Sequence, residues 1–252
     1  MKTETVILDP VRPDVTLTSY ILPGCRPAML VLPGGGFYAL ASHEGDPFAI
    51  RFMAEGFNAF VLNYSIGKPK SFFPRPLTDV SAAIVHIREN AEKYCIDPDK
   101  LFVIGSSAGG YLAGAIGAMW HCDFAKSSPD MEYGANHPNG VILTYGVVST
   151  REDIRCFCFD NLVTEEYGEE EVSLERYVDE KSAPAFIWHS FPDECVDPRN
   201  ALVLAEAYVR AKVPCELHLY SDGAHGIGLG VPGEGNSEFY PRAHRWADES
   251  AE

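Results

Sequence analysis

The sequence predicts an α/β fold built on a mainly parallel, doubly wound sheet with helices on both faces. Short apolar runs bounded by Gly, Pro and Asp are typical of strands, and eight of them recur along the 252 residues. From the third run onward they are separated by segments with apolar residues three and four apart, as in amphipathic helices. Alternating strands and helices favour right-handed crossovers and therefore parallel strands.

The eight predicted strands follow one another along the whole chain. They are TVIL at 5–8, VTLTSYIL at 15–22, AMLVL at 28–32, AFVLNY at 59–64, LFVIG at 101–105, VILTYGVV at 141–148, AFIWHS at 185–190 and ELHLY at 216–220. Only the turn-like stretch DPVRPD separates the first two. We therefore expect these two strands to form an antiparallel ribbon at one edge of the sheet.

Four predicted helices lie between the strands. They cover residues 46–56, 77–94, 107–120 and 198–213. In the second of them Val80, Ile84 and Ile87 fall on one face, away from the charged Arg88. Pro98 prevents this helix from continuing, and a strand follows at once.

One stretch, residues 151–182, interrupts the alternation. It contains TEEYGEEEVSLERYVDE, with eight acidic residues. This composition indicates either a solvated helical excursion or a small lid over the edge of an active site, and both remain open. There is no internal repeat and no Gly/Ser-rich linker, so we expect a single domain spanning residues 1–252.

The charge and the N-terminal sequence restrict the class of partner. The chain carries 36 acidic and 20 basic residues, a formal net charge of −16 at pH 7. This charge opposes binding to nucleic acid or to an anionic membrane, whereas it is compatible with a neutral small-molecule substrate. The N-terminus lacks the features of a signal peptide and no apolar run approaches the ~18 residues that span a bilayer. We expect a cytoplasmic protein, and the sequence leaves a homo-oligomer open.

The seven cysteines give no metal-binding pattern. No CxxC pair occurs, and no histidine stands at zinc-site spacing from a cysteine. We therefore expect free, mostly buried thiols, with no metal and no cofactor.

The candidate nucleophile follows the strand at 101–105. Gly105, Ser107 and Gly109 form G-x-S-x-G. A strand that turns sharply into a helix needs residues without bulk on both sides of the serine, because neighbouring backbone passes close to it. Ser107 is thus predicted to be a nucleophile. A serine that only caps the helix, or the neighbouring Ser106, is the alternative.

A run of three glycines follows the strand at 28–32. PGGGF at 33–37 frees the backbone, so several N–H groups can point at one place. The amides of Gly35 and Gly36, with that of Ala108 at the start of the helix after the serine, are predicted to form an oxyanion hole. A phosphate-binding or merely flexible loop is the alternative, although neither G-x-G-x-x-G nor a Walker lysine is present.

The base and the acid are predicted at the ends of the last two strands. His225, in SDGAHGIG, directly follows the last strand, and the other seven histidines lack a glycine-flanked loop at a strand exit. Asp193, in FPDECVDP, is the earliest carboxylate after the preceding strand, with Asp197 as the alternative. The order Ser107, Asp193, His225 is the order found in α/β-hydrolases.

With these residues the chain resembles α/β-hydrolase esterases over about residues 25–230. The stretches that carry the resemblance are LVLPGGGFYALASHEGDPFAIRFMAEGFNAFVLNYS, IDPDKLFVIGSSAGGYLAG, FIWHSFPDECV and LHLYSDGAHGIGLG. The group is that of acetyl esterases and acetyl-xylan esterases related to the hormone-sensitive lipase family. Two positions depart from it: Pro33 stands where such relatives usually have His, and Asp197 follows Val196 where the group usually has Pro.

The resemblance implies the α/β-hydrolase fold and hydrolysis of short-acyl esters, most simply acetyl esters of sugars or xylo-oligosaccharides, through an acyl-serine. Phe37 and Tyr38 are candidate substrate-binding residues, since an aromatic ring beside the glycine loop can stack on a sugar; packing within the protein is the alternative for Tyr38. An amide hydrolase with the same triad, such as a formamidase or peptidase, stays open. So does a non-catalytic receptor on this fold.

Overall fold

A computed structural model describes residues 1–233 and 238–251 of the chain. Within these residues eight strands form one sheet in the order β1-β2-β4-β3-β5-β6-β7-β8. The strands are β1 (Lys2–Ile7), β2 (Thr16–Ile21), β3 (Arg26–Leu32), β4 (Asn58–Asn63), β5 (Ile96–Ser106), β6 (Gly140–Thr144), β7 (Ala185–Ser190) and β8 (Cys215–Tyr220). Each of the eight predicted runs overlaps one of these strands.

The predicted N-terminal ribbon is confirmed. β1 and β2 pair antiparallel, with Lys2 opposite Ile21, and β2 pairs antiparallel with β4. All other neighbouring strands, from β4 through β8, are parallel. The carboxyl ends of the parallel strands therefore meet at one edge of the sheet.

Helices cover both faces of the sheet. They are α1 (Asp46–Ala54), α2 (Arg75–Glu89), α3 (Ala91–Tyr94), α4 (Ala108–Met119), α5 (Glu169–Val172), α6 (Arg199–Ala211) and α7 (Trp246–Glu249). Leu30 and Leu32 of β3 pack in one apolar cluster with Tyr111 of α4, whereas Met29 and Val31 pack in a second cluster with Trp246 of α7. The alternation along one strand thus divides the core between the two faces. Among the described residues, every helix is too short or too polar to cross a membrane.

Three expectations about local structure are wrong in detail. The helix predicted for residues 77–94 is divided at Asn90 into α2 and α3. The strand predicted for 141–148 ends at Thr144, because Tyr145 takes a φ of 40° and the chain turns toward the start of α4. All seven cysteines are free, but only Cys156 and Cys158 are buried.

Residues 151–182 form neither one long helix nor a separate unit. They contain 3₁₀ turns at Phe157–Asn161 and Leu174–Arg176 with α5 between them. Phe159, Leu162 and Leu174 are fully buried in the same apolar cluster as the sheet. The segment therefore packs against the body of the fold while most of its acidic residues are exposed. Glu175 is an exception, because its carboxylate accepts hydrogen bonds from the buried Ser149 and Ser173.

Candidate active site

Ser107 stands at the bend between β5 and α4. Its φ of 52° and ψ of −115° are rarely adopted by a residue with a side chain, which indicates a strained turn. The surrounding backbone holds it there: its N–H donates to the carbonyl of Thr144 at 3.0 Å, and its carbonyl accepts from Tyr111 at 3.1 Å and Val147 at 3.2 Å.

The two glycines of the motif are required by close backbone contacts. A Cβ at Gly105 would lie 2.0 Å from the carbonyl oxygen of Gly109, and a Cβ at Gly109 would lie 2.0 Å from that of Leu32. Ser106, the alternative nucleophile, is fully buried, and its Oγ accepts from Thr144 Oγ1 at 2.7 Å. The structure therefore places Ser107, not Ser106, at the cleft.

The three predicted triad residues lie in hydrogen-bond contact. Ser107 Oγ is 2.9 Å from His225 Nε2, and His225 Nδ1 is 2.8 Å from Asp193 Oδ2. The carboxylate accepts from Nδ1–H, so Nε2 is free to accept the proton of the serine hydroxyl. The three residues follow β5, β7 and β8, whose carboxyl ends share one edge of the sheet.

Asp193 is held in one orientation by four donors. Its side chain is fully buried; Oδ1 accepts from the N–H groups of Cys195 at 2.8 Å and Val196 at 3.0 Å, and Oδ2 accepts from His225 and from His189 Nε2 at 3.1 Å. Burial alone would raise the pKa of Asp193, but hydrogen bonds from His189 and His225 and the charge of His225 outweigh it and hold this pKa well below its usual range. The carboxylate is therefore charged beside His225.

Asp197, the alternative acid, pairs with Arg199, whereas His225 Nδ1 pairs with Asp193. The Asp197 carboxylate lies 2.6 Å from the guanidinium of Arg199, and Arg199 also contacts Asp153. Both partners are partly exposed, so this is a surface ion pair.

His189 was missed by the sequence reasoning. It is the next-to-last residue of β7 and fully buried, and Nε2 also lies 3.0 Å from the carbonyl of Val196. The only available signal was its position four residues before Asp193. It lacks the glycine-flanked loop by which His225 was found.

The glycine loop runs directly against the nucleophile. A Cβ at Gly34 would lie 3.0 Å from Ser107 Cβ, and Gly35 and Gly36 have φ values of 124° and 62° that favour glycine. Within the described residues, the N–H groups of Gly35, Gly36 and Ala108 donate to no protein acceptor. The three predicted donors are thus uncommitted, and Gly35 and Gly36 line the cleft beside Ser107.

Three side chains hold the glycine loop from outside. Tyr64 O–H donates to the carbonyl of Pro33 at 2.6 Å, and Asn161 Nδ2–H donates to that of Gly36 at 3.0 Å. Glu44 Oε2 accepts the N–H of Gly34 at 2.8 Å. These contacts fix a loop in which Pro33 replaces the histidine usual in the relatives that the sequence resembles.

Glu44 also reaches the loop that carries His225. It is buried, and Oε1 accepts from the hydroxyl of Tyr145 at 2.7 Å; that hydroxyl in turn accepts from the N–H of Gly228 at 3.1 Å. Burial, followed by the charge of Glu44, raises the pKa of Tyr145 well above its usual range, so the phenol keeps its proton. The Tyr145 ring lies edge-on to His225 with centroids 5.2 Å apart.

The two aromatic residues after the glycines have different positions. Tyr38 is 64% exposed and lines the cleft, and its contact with substrate stays a prediction. Phe37 is fully buried and its ring packs edge-on against Tyr111 at 5.9 Å, so the prediction that it contacts substrate is wrong. With a φ of 63°, Phe37 is turned inward onto α4.

The cleft around these residues has a volume of about 220 Å³. Besides the glycine loop, Ser107 and His225, its walls include residues 156–158. A larger groove of about 470 Å³ contacts the start of β6 and contains none of the predicted site residues. The described residues contain no group of three His, Cys, Asp or Glu side chains that could hold a metal ion.

The family model BD-FAE matches residues 22–208. The chain belongs to the BD-FAE family. Its sheet, with an antiparallel edge and helices on both faces, is that of the α/β-hydrolases, as solved structures of this fold show. The resemblance and the fold expected from the sequence are thus confirmed.

Three similar proteins extend the comparison. The chain is 35% identical to "Endo-1,4-beta-xylanase B" of Butyrivibrio fibrisolvens, over 85% of the chain and 34% of that protein. It is 29% identical to "Acetylxylan esterase" of Xylanibacter ruminicola, over 81% of the chain and 42% of that protein. This member of the BD-FAE family therefore spans less than half the length of these two curated relatives. The solved "acetyl ester-xyloside bifunctional hydrolase" of Caldicellulosiruptor lactoaceticus has a TM-score of 0.80 and 30% identity, over 96% of the chain and 88% of its own.

Proposed function

We propose that this chain is a serine carboxylesterase that removes short acyl groups, most simply acetyl, from neutral sugars or xylo-oligosaccharides. The observation that carries the proposal is the hydrogen-bonded series from Ser107 to His225 to Asp193, beside the uncommitted amides of Gly35 and Gly36. A nucleophile, a base that is oriented by a carboxylate, and nearby donors are the parts that acyl transfer needs.

In the first half-reaction the Ser107 hydroxyl oxygen attacks the ester carbonyl. His225 Nε2 takes the hydroxyl proton, and the charged Asp193 stabilises the resulting imidazolium. The carbonyl oxygen becomes an oxyanion, which the amides of Gly35, Gly36 and Ala108 receive. Collapse of this intermediate breaks the ester bond, His225 protonates the leaving alcohol, and an acyl-serine remains.

In the second half-reaction water replaces the alcohol. His225 takes a proton from the water as its oxygen attacks the acyl-serine, and the same amides hold the second oxyanion. The acid leaves and the proton returns to Ser107. The proposed reaction therefore uses only an ester and water as reactants, and no cofactor is needed.

The size of the cleft and the charge of the chain support a small neutral substrate. A volume of about 220 Å³ lies below the ~300–1,000 Å³ of pockets for drug-sized ligands. The net charge of −16 disfavours strongly anionic esters. The names of two similar proteins, an acetylxylan esterase and an acetyl ester-xyloside hydrolase, support an acetylated xyloside as the substrate class.

The test combines covalent labelling with acyl-chain selectivity. The chain is treated with a fluorophosphonate probe, the adduct is located by mass spectrometry, and p-nitrophenyl acetate, butyrate and octanoate are assayed beside it. We expect labelling at Ser107, fastest turnover of the acetate, and loss of both in Ser107→Ala. Unimpaired turnover by folded Ser107→Ala would overturn the proposal. Formamide hydrolysis faster than that of any ester would favour the amide hydrolase.

A further inference from the structure

Two large aromatic side chains stand exposed at the mouth of the cleft. Tyr38 follows the glycine loop and is 64% exposed, and Phe157 begins a 3₁₀ turn of the 151–182 segment and is 63% exposed. Both line the same cleft as Ser107 and His225. Exposed aromatic surface beside a polar reaction centre is typical of ligand contact.

Each of these residues has a buried aromatic near it in sequence that anchors its segment. Phe37 and Phe159 are fully buried, and both pack edge-on against the ring of Tyr111 in α4, at 5.9 and 5.7 Å. Tyr111 therefore holds the two segments at fixed places on one helix. In each segment one aromatic side chain is buried against Tyr111, whereas Tyr38 and Phe157 remain exposed to solvent.

The turn that carries Phe157 fixes the outward direction of its side chain. The flanking Cys156 and Cys158 are buried, and Cys156 caps the turn by accepting the N–H of Cys158. At its far end Asn161 donates to the carbonyl of Gly36. The turn is thus tied to the loop that carries Tyr38.

The two segments meet at one of the proposed oxyanion donors. A Cβ at Gly36 would lie 2.9 Å from Cε1 of the Tyr38 ring and 3.7 Å from Cβ of Cys158. The Tyr38 ring and the Phe157 turn therefore both lie beside Gly36. A carbonyl oxygen that reaches the Gly36 amide has both segments beside it.

We propose that Tyr38 and Phe157 bind the sugar ring that carries the ester, and so set the preference for pyranoside esters over esters of simple alcohols. This inference rests on the proposed function. The C–H-rich faces of a pyranose pack on aromatic rings, while its hydroxyls keep contact with water at an exposed rim. The enclosed part of the cleft takes the small acyl group, which leaves the mouth for the alcohol part.

A second groove also contacts His225 and provides a matched control. It has a volume of about 520 Å³, shares Cys195 and His225 with the cleft, and is lined by Tyr240. If the sugar occupied this groove, substitution of Tyr240 would change sugar selectivity. Substitution of Tyr38 or Phe157 would not.

The experiment compares two acetyl esters that differ only in the alcohol. The specificity constants kcat/KM for mono-acetylated xylotriose and for ethyl acetate are measured in the wild-type chain, Tyr38→Ala, Phe157→Ala, the double variant and Tyr240→Ala. We expect kcat/KM for the sugar ester to fall about 5- to 10-fold in each single cleft variant and further in the double, mainly through KM. For ethyl acetate, kcat/KM of the same cleft variants stays within about 2-fold of the wild-type value. Tyr240→Ala leaves the ratio of kcat/KM for the sugar ester to kcat/KM for ethyl acetate unchanged.

Three results would overturn this proposal. An equal loss on both esters would mean that the rings only support the loop. No loss on the sugar ester would mean that the sugar does not contact them, and an effect confined to Tyr240→Ala would place the sugar in the other groove. Failure of the proposed function looks different, because the wild-type chain would then hydrolyse neither ester.

Discussion

His189 Nε2 lies 3.1 Å from Asp193 Oδ2, the same carboxylate oxygen that accepts from His225. Nε2 is also 3.0 Å from the carbonyl of Val196, and both of these neighbours are acceptors, so Nε2 carries the proton. His189 Nδ1 is buried and has no partner among the described residues. The His189 imidazole therefore holds the Asp193 carboxylate in place, and this carboxylate in turn orients His225.

Removal of this second imidazole is expected to slow turnover without weakening substrate binding. In His189→Phe the ring volume is largely kept but one donor to Asp193 is lost, at a net cost of about 1 kcal/mol or more in carboxylate positioning, so we expect kcat to fall about 10-fold. KM stays within about 2-fold. This role of His189 is contradicted if kcat is unchanged in the folded variant, whether or not KM rises.

Asp193 and Asp197 provide a matched pair for the identity of the acid. Asp193→Asn removes the charge that stabilises the His225 imidazolium and favours the wrong tautomer, so we expect kcat to fall about 10³- to 10⁴-fold. Asp197→Asn breaks only a surface ion pair with Arg199 and is expected to change kcat less than about 2-fold. The opposite ranking of the two variants would assign the acid to Asp197.

The low pKa of Asp193 predicts a pH-dependent stability. Because the pKa is lower in the folded chain than the roughly 4 of an unfolded aspartate, the unfolded chain binds more protons in acid. The stabilisation is fully present above the unfolded pKa and is lost as the pH falls toward the folded pKa. The difference in free energy of unfolding between wild type and Asp193→Asn, from urea titrations, should shrink from pH 6 to pH 3. If the difference in free energy of unfolding stays constant from pH 6 to pH 3, the prediction is contradicted.

The parts of the site that could be predicted are those with a local signature. Ser107 stands in a glycine pattern that the sharp turn requires, and Asp193 and His225 each follow a strand, so chain order was enough to find them. Glu44 and Tyr145 are 101 residues apart and carry no local pattern that marks their contact. Burial of such a polar pair depends on how distant segments pack, and this packing cannot be inferred from a local sequence pattern.

Phe37 shows a second limit. Two adjacent aromatic residues follow the glycines, and composition alone does not say which of them faces inward. The answer depends on the φ of 63° at Phe37 and on the place of Tyr111 on α4, both properties of the folded chain. The acidic segment 151–182 is a similar case, since residues 156–158 form a wall of the cleft although its composition was compatible with a solvated excursion.

Glu44 is expected to act as a positioning residue for the glycine loop. Its carboxylate accepts from Gly34 on one oxygen and from Tyr145 on the other, and so joins the oxyanion loop to the loop that carries His225. Glu44→Gln keeps one acceptor oxygen but places an amide donor at the other position, so one of the two donors loses its partner. We expect kcat to fall about 10-fold in this variant and about 100-fold in Glu44→Ala, with KM within about 2-fold in both.

The control for this prediction is Glu55→Gln, which removes a carboxylate from an exposed pair with Arg51. It should leave kcat unchanged, because an exposed pair of this kind contributes little and lies outside the cleft. Tyr145→Phe tests the same connection from its other end, since it removes the donor to Glu44 and the acceptor for Gly228. If Glu44 and Tyr145 act as one connection between the glycine loop and the loop that carries His225, the effects of Glu44→Gln and Tyr145→Phe on kcat are not additive in the double variant. Additive decreases in kcat, or a change in KM alone, would mean that the two residues support the site independently.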